Sequence, residues 1–256
     1  MRSVFFPAEW HPQSGVQVTW PHEDTDWSNN LEEVTSCYVQ ISKEILKKEK
    51  LLVVCRDAQK VSSYFSRNEQ KNLILKEIAS NDTWSRDHGG ISVFVNEKPV
   101  LVDFGFNAWG LKFAADHDNL ITSKLYSEGV FLPEVSYRNQ LSFILEGGSI
   151  ESDGKGTILT TSQCLLSTNR NGSFSPPEIE AVLEETLGAK RILWLHHGYL
   201  EGDDTDSHID TLARFCDERT IAYVQCDNVD DLHYQDLKAM EEELKSFVTT
   251  EGDPYR

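Results

Sequence analysis

Helical and strand-like spacings of hydrophobic residues alternate along the whole chain. Apolar residues three and four positions apart predict an amphipathic helix over Leu31–Lys48, and the run LLVVC at Leu51–Cys55 predicts a buried strand. A second helix is predicted over Pro177–Leu187, because Ser175 can cap its start and Gly188 can end it. The run RILWL that follows predicts another strand.

Short strands separated by glycine-rich turns such as DGKG are predicted between these helices. The candidates are Gly90–Val95, Val100–Phe104, Phe143–Leu145 and Thr157–Thr161, and a third helix is predicted over Leu232–Phe247. Strand pairs that alternate with single helices predict a mixed α/β fold. No low-complexity linker divides the 256 residues, so a single domain over 1–256 is expected.

The composition is that of a globular protein with a strong acidic excess. The formal net charge is −18, from 42 acidic and 24 basic side chains. This charge argues against a nucleic-acid-binding surface and favours small cationic partners, although it also serves solubility alone. No run approaches the roughly 20 apolar residues that span a bilayer, and the N-terminal apolar stretch is too short for a signal peptide. We therefore expect a cytoplasmic protein without membrane contact, whose five cysteines are reduced, buried thiols.

The segment EGDDTDSHIDTLARF places five carboxylates around His208. If Asp206–Asp210 is extended, the side chains of Asp206, His208 and Asp210 point to the same side. A histidine beside carboxylates can help to hold a cation and can also transfer a proton. The segment therefore suggests chemistry on a cationic substrate.

A metal site is the alternative interpretation of the same segment. An EF-hand loop requires glycine at its sixth position and glutamate at its twelfth, whereas a loop that starts at Asp204 has Ile209 and Phe215 there. A structural zinc site requires paired histidine and cysteine ligands, which Cys216 alone does not supply. No metal is expected.

A second candidate cluster is the run NDTWSRDHGG. Asp87 could bind a cation while the indole of Trp84 covers the apolar part of the ligand. The alternative is a turn in which Asp82 and Asp87 bind local backbone groups and Trp84 lies in the core. EGGSI places Glu146 at the end of an apolar strand, and FGFNAWG is typical of core followed by a turn.

Taken in order, these motifs resemble the agmatine deiminase and bacterial-type peptidylarginine deiminase family of guanidino-group-modifying enzymes. The matching runs are PAEWHPQSGVQVTWP, NDTWSRDHGG, FGFNAWG, EGGSIESDGKGTILTTSQCLLSTNRN and DDTDSHIDTLARF. The resemblance implies a pentein fold, which is a five-bladed α/β propeller of ββαβ modules around a substrate channel. It also implies hydrolysis of a guanidinium with release of ammonia and without a cofactor.

The resemblance assigns roles to five residues. It implies catalytic roles for Asp87, His208 and Asp210, and substrate-binding roles for Trp84 and Glu146. Guanidinium is a flat cation with a fixed fork of N–H donors, so Asp87 and Asp210 can each accept paired hydrogen bonds in its plane. A cysteine thiolate would then attack the central carbon, while His208 protonates the departing amine and activates water.

The chain departs from the family pattern at the nucleophile. The family's cysteine lies in a glycine-rich C-terminal segment that ends His-Cys, and this sequence contains no such segment. Cys164 and Cys216 are interpreted as core thiols, with Cys216 continuing a helix. The sequence-based expectation is a propeller that lacks its last module and does not turn over by itself. A smaller departure is Ser207, where many relatives have glycine.

Agmatine is the expected substrate, with N-carbamoylputrescine as the product. Two alternatives stay open, namely a peptidylarginine deiminase that makes citrulline and a non-catalytic module that binds guanidines or polyamines. A homodimer is also considered, because two-fold dimers are the commonest assemblies of soluble proteins.

Overall fold

Within residues 3–256, which the computed structural model describes, twelve strands form four separate sheets. The strands are β1 Val4–Phe5, β2 Gly15–Thr19, β3 Lys50–Cys55, β4 Leu73–Glu77, β5 Ile91–Val95, β6 Lys98–Gly105, β7 Ser136–Ile144, β8 Ile150–Ser152, β9 Thr157–Thr161, β10 Arg191–Leu195, β11 Ala213–Asp217 and β12 Thr220–Tyr223. The α-helices are Leu31–Leu46, Ala58–Ser62, Ser85–His88, Ile121–Ser127, Ser162–Leu165, Thr168–Asn171, Pro176–Leu187 and Tyr234–Ser246. The mixed α/β prediction is confirmed.

The elements gather into two compact units. Unit A comprises residues 12–89 and 114–132, and unit B comprises residues 3–11, 90–113 and 133–256. Each unit has its own apolar clusters of buried side chains. The single-domain expectation stays a prediction.

Unit A is built on a parallel sheet in the order β2-β3-β4. The helix Leu31–Leu46 connects β2 to β3 and ends two residues before the predicted boundary at Lys48. The central strand β3 is buried from Leu51 to Cys55. A strand covered on both faces requires a continuous apolar run, which is why LLVVC does not alternate.

Unit B contains the other three sheets, in the orders β1-β5-β6-β7, β10-β9-β8 and β11-β12. Strands β8 and β9 are antiparallel, and the helix Pro176–Leu187 then leads to β10, which pairs parallel with β9. These four elements form one ββαβ module. The helix begins with a capping box between Ser175 and Glu178, one residue earlier than the predicted start at Pro177. It ends at Leu187 as predicted, before Gly188, whose φ of +72° is left-handed.

A left-handed turn follows β6 in unit B. Ala108, Trp109, Gly110 and Leu111 all have positive φ, which is rare for residues with a Cβ. The Asn107 side chain accepts a hydrogen bond from the backbone N–H of Gly110 at 2.9 Å and so closes the turn. Trp109 is buried, as expected for a run of core and turn residues.

Two sequence predictions are wrong in detail. The predicted strand Phe143–Leu145 contains only the last two residues of the nine-residue strand β7, which begins at Ser136 and ends at Ile144. Cys216 does not continue a helix; it lies on β11 with an exposed side chain, because alternation along the strand buries Phe215 and turns Cys216 outward. Cys37 is also exposed, whereas Cys55 and Cys164 are buried as expected.

The helices of residues 3–256 include none with the length and apolar character needed to cross a membrane.

Candidate active site

The acidic segment around His208 is a turn and not a strand. Asp206 and Ser207 both have a φ of +62°, and a 3₁₀ turn over Ile209–Thr211 follows His208 directly. The extended conformation that would direct Asp206, His208 and Asp210 to the same side is therefore not present. Two consecutive left-handed residues redirect the chain, and the sequence gives no local sign of them because neither is glycine.

Side-chain hydrogen bonds hold this turn in place. Asp203 accepts from the backbone N–H groups of Thr205 and Ser207, at 2.9 and 2.6 Å. The Thr205 hydroxyl oxygen accepts from the N–H of His208 at 3.0 Å, and Thr161 Oγ1 donates to the Ser207 carbonyl at 2.8 Å. The backbone on either side of His208 is therefore fixed by neighbours in unit B.

His208 lies in a buried group with Glu146 and Cys164. The exposed fractions of the three residues are 1%, 0% and 0%. One ligand-type atom from each, a ring nitrogen, a carboxylate oxygen and Sγ, lies within 4.8 Å of the other two. Glu146 immediately precedes the 3₁₀ turn Gly147–Ser149, and Cys164 belongs to the helix Ser162–Leu165. The structure therefore brings Glu146 and His208 together.

Glu146 is paired with a buried arginine. Arg170 Nε donates to the two carboxylate oxygens of Glu146 at 2.9 and 3.0 Å, and both side chains are fully inaccessible. Burial raises the pKa of Glu146 above its ordinary value, and the guanidinium counteracts that rise. Burial alone would lower the pKa of Arg170, but its acidic neighbours hold it above the ordinary value. Arg170 is therefore a permanent cation inside unit B.

Asp210 lies in the 3₁₀ turn Ile209–Thr211 and is half-buried. This turn packs against the turn Gly147–Ser149, and the Thr211 hydroxyl donates to the His208 carbonyl at 2.9 Å. Unit B thus gathers His208, Asp210 and Glu146 on adjacent turns.

The other two predicted site residues belong to unit A. Asp87 lies in the helical turn Ser85–His88 with 7% exposure. Trp84 is 38% exposed, its ring tilts against that of Trp27 at 5.8 Å, and its Nε1 donates to Asp26 at 3.3 Å. The alternative in which Trp84 is a core residue is therefore wrong, since more than a third of it stays open to solvent.

The loop of residues 81–88, which carries Trp84 and Asp87, is bound at its start by another acidic residue, Asp118. Its carboxylate accepts from the backbone N–H groups of Asn81 and Asp82 at 2.7 and 3.1 Å, and the Asn81 side chain accepts in return from the Asp118 N–H at 3.0 Å. Burial raises the pKa of Asp118 to about 6 in spite of these bonds. Asp82 itself accepts from the N–H of Thr83 at 2.7 Å, as the turn interpretation expected.

Glu146, Cys164 and His208 offer ligand types that a metal ion could use. However, both oxygens of Glu146 already accept from Arg170, whose positive charge would repel a bound cation. Asp206 is similarly bound to cationic side chains. The residues present do not fit a resident metal ion.

Solved structures of deiminases match this architecture. The inferred arginine deiminase from Porphyromonas gingivalis is 51% identical with a TM-score of 0.95, over 99% of this chain and 75% of that one. The C315S agmatine deiminase of C. jejuni with substrate bound is 40% identical with a TM-score of 0.88, over 95% of this chain and 71% of that one. The mixed α/β fold and these structural matches thus place the chain in the guanidino-group-modifying class.

Sequence comparison gives the family. A model described as Porphyromonas-type peptidyl-arginine deiminase matches residues 5–256. The agmatine deiminase of Pseudomonas aeruginosa (strain LESB58) is 34% identical over 89% of this chain, which spans 62% of that relative's length. The chain belongs to the Porphyromonas-type peptidyl-arginine deiminase family, and the resemblance seen in the motifs is confirmed.

Sequence reasoning missed three contacts in or around these loops, although it correctly interpreted Cys164 as a buried thiol. Cys164 lies beside His208, and Arg170 binds Glu146. Asp118 binds the backbone N–H groups of Asn81 and Asp82. Arg170 lies in the polar run STNRNGS, which resembles an exposed turn. The only available signal was that this run lies within the long motif shared with the family.

Proposed function

We propose that this chain supplies the substrate-holding carboxylates and the proton-transferring histidine of a deiminase that hydrolyses the guanidinium of agmatine to N-carbamoylputrescine and ammonia. The observation that carries the proposal is the buried placement of His208 beside Glu146, in a family with relatives named agmatine deiminases. The net charge of −18 supports a cationic substrate, because an acidic protein attracts small cations.

In this proposal, carboxylates hold the substrate. Asp87 and Asp210 are assigned to the guanidinium, whose planar fork of N–H donors matches the paired oxygens of a carboxylate. Trp84 is assigned to the aliphatic arm of the substrate. Its partly exposed indole supports this role, and the helical turn around Asp87 supports a fixed position for that carboxylate.

The chemistry assigned to the site has two halves. A cysteine thiolate attacks the central carbon, and His208 donates a proton to one nitrogen, which leaves as ammonia and yields a covalent thiouronium. His208 then takes a proton from water, the resulting oxygen nucleophile adds to the same carbon, and the C–S bond breaks to release the ureido product and the thiolate. Glu146 would stabilise the protonated ring of His208.

The role of nucleophile is assigned to none of the five cysteines in this sequence. Cys164 is near His208, but its thiol is fully buried in the core cluster of unit B, which supports a packing role. For the fold, we propose the five-bladed α/β propeller of ββαβ modules, supported by the module that β8, β9, Pro176–Leu187 and β10 form. A homodimeric state and a cytoplasmic location stay predictions.

A side-by-side assay tests the proposed function. The natural full-length protein is given agmatine, free arginine or an arginine-containing peptide, with and without a chelator, and ammonia and ureido product are measured. We expect agmatine to have a kcat/KM at least about tenfold above the others, with no effect of the chelator. A preference for the peptide would replace agmatine by peptidylarginine, and binding of agmatine without turnover would favour the non-catalytic alternative.

Two variants connect this activity to the site. His208→Asn is expected to lower kcat by about 10²–10⁴ because proton transfer is lost, with agmatine still bound. Arg138→Lys alters an ion pair with the exposed Glu185 that includes none of the residues assigned to the site. It serves as the control and should retain full activity. Activity retained in His208→Asn would contradict the assigned role.

A further inference from the structure

The side chain of Arg170 connects the two turns that carry Glu146 and His208. Its Nε binds Glu146, its Nη1 donates to Asp206 Oδ2 at 2.6 Å, and its Nη2 donates to the carbonyl of Thr205 at 2.9 Å. The fork of one guanidinium therefore spans the site glutamate and the residues just before His208. No other side-chain type offers donors in this planar arrangement.

A second cation completes the attachment of Asp206. Lys112 Nζ donates to Asp206 Oδ1 and to the carbonyl of Asp204, each at 2.6 Å. Lys112 is presented by the left-handed turn described above, in which Gly110 lies against the guanidinium. A Cβ at Gly110 would come within 3.4 Å of Arg170 Nη1 and 3.6 Å of Asp206 Oδ2. The left-handed turn at Gly110 therefore packs closely against the ion pair of Arg170 and Asp206.

The backbone of the His208 turn needs such support. Left-handed conformations at Asp206 and Ser207 cost on the order of 1–2 kcal/mol each, and they persist only where the surroundings impose them. Arg170 and Lys112 bind the side chain of Asp206 and the carbonyls of Asp204 and Thr205, immediately around the strained residues. Loss of these bonds would allow the turn to relax and carry His208 away from Glu146.

Arg170 does not itself have access to a ligand. Its side chain has 0% exposure, and its three nitrogens each donate to a protein oxygen. A role in binding the carboxylate of a substrate such as arginine would require an open guanidinium. The contacts therefore favour an indirect role.

We propose that Arg170 is the positioning residue of the site, with Lys112 as its partner, and that it sets His208 relative to Glu146 by locking the Asp206–Ser207 turn. This inference rests on the proposed function, since it assumes that His208 is the group that transfers protons. Arg170 acts through other residues and touches neither substrate nor reacting atoms.

NMR of histidine-labelled protein tests the inference without requiring turnover. The ring resonance of His208 is assigned with the His208→Asn variant, and its chemical shift and titration are followed in wild type, Arg170→Lys, Arg170→Gln and Asp206→Asn. Arg170→Lys keeps the positive charge but loses the planar set of guanidinium donors. Asp206→Asn keeps the size of the side chain but removes the negative charge that binds Arg170 and Lys112. Arg138→Lys is the matched control. It makes the same substitution in an arginine whose side chain is 19% exposed and whose ion-pair partner, Glu185, lies outside these turns.

We expect the titration midpoint of His208 to move by about one pH unit in Arg170→Lys and Asp206→Asn, and to stay unchanged in Arg138→Lys. The inference is overturned if both variants lower the melting temperature while the resonance and titration of His208 stay as in wild type, because Arg170 would then be merely structural. If Arg170→Gln fails to fold, the other two variants decide the question.

Agmatine added to the wild-type sample separates this inference from the proposed function. If the His208 resonance does not respond to agmatine, the proposed substrate fails. The comparison of the variants in the absence of agmatine still shows whether Arg170 positions His208.

Discussion

The two acidic loops that carry the candidate site residues are held in opposite ways. In unit B, residues 203–210 include left-handed Asp206 and Ser207 and are bound by Arg170 and Lys112. In unit A, residues 81–88 contain no residue of positive φ and are bound by Asp118, which is another acid. All seven non-glycine residues of positive φ within residues 3–256 belong to unit B.

The difference relates the backbone conformation of each loop to the kind of side chain that stabilises it. A strained turn requires partners with large interaction energies, and buried ion pairs supply them at the cost of desolvation. A loop without backbone strain needs only hydrogen-bond acceptors for its buried N–H groups. The single carboxylate of Asp118 accepts from two of them. Opposite pH responses follow, because cations hold the pKa of Asp206 below its ordinary value, whereas burial raises that of Asp118 to about 6.

The largest effect is expected when the ion-pair support is removed. Arg170→Met leaves Glu146 buried without its cation and should lower the free energy of unfolding by about 3–5 kcal/mol. Urea unfolding measures the loss, and Arg138→Met, at a pair with an exposed glutamate, should lose about 1 kcal/mol or less. Equal losses in the two variants would show that unit B does not depend on its buried pair.

A smaller loss is expected in unit A. Asp118→Ala removes the acceptor of two backbone N–H groups and should cost about 1–3 kcal/mol. Asp116→Ala is the control, because that exposed carboxylate accepts from the Asn81 side chain and lies near the exposed His117 ring, and its loss should change stability by about 0.5 kcal/mol or less. A loss as large as that of Arg170→Met would remove the contrast between the two loops.

The pH dependence sharpens the same contrast. The folded pKa of Asp118, about 6, lies above the ordinary value of 3.8, so the folded protein binds the proton more tightly than the unfolded chain. This group therefore adds stability as the pH falls from 7 to 5, by about 1 kcal/mol, and the contribution is lost as the pH rises through 6.

Asp118→Asn should abolish that part of the pH dependence. Unfolding curves of the variant and wild type at pH 5 and pH 7 give the difference directly. Parallel stability profiles would contradict the raised pKa. The Asp206 pairs should contribute in the opposite sense, with stability lost only as the pH falls below about 4, since the pKa of Asp206 is lowered from 3.8.

The smallest effect concerns backbone strain outside the ion pairs. Leu111 has a φ of +68° and is 72% exposed, so Leu111→Gly should raise stability by about 0.5–1 kcal/mol by removing the Cβ clash. Leu120→Gly is the matched control, since this leucine is also exposed but has a φ of −106°. It should lose stability by a similar amount, and a gain in both variants would rule out strain as the cause.

Local signals in the sequence were sufficient for some of the regular elements. Ser175, the prolines after it and Gly188 specify both ends of their helix through short-range capping. The apolar run of β3 similarly marks a central strand. The family motifs also indicated Glu146 and His208, which the structure brings into one buried group.

The conformation of the His208 turn could not be predicted from local patterns. It depends on Arg170, 36 residues before Asp206 in the chain, and on Thr161, which is 46 residues before Ser207. The inference that alternate side chains point to the same side requires an extended backbone. Hydrogen bonds from Arg170 and Thr161 instead stabilise a left-handed conformation at Asp206 and Ser207. The exposure of Cys216 was missed for a related reason, since its strand was interpreted as a helix.

The external support of the Asp206–Ser207 turn bears on which residue can occupy position 207. A left-handed position normally selects for glycine, yet position 207 is serine, with its N–H, carbonyl and hydroxyl each bound by a neighbour. Asp203, Thr161 and the Arg170 guanidinium thus hold a backbone conformation at Ser207 that glycine would adopt without such support. Serine at this position therefore depends on the presence of these neighbours, and the two kinds of residue are not interchangeable with the support removed.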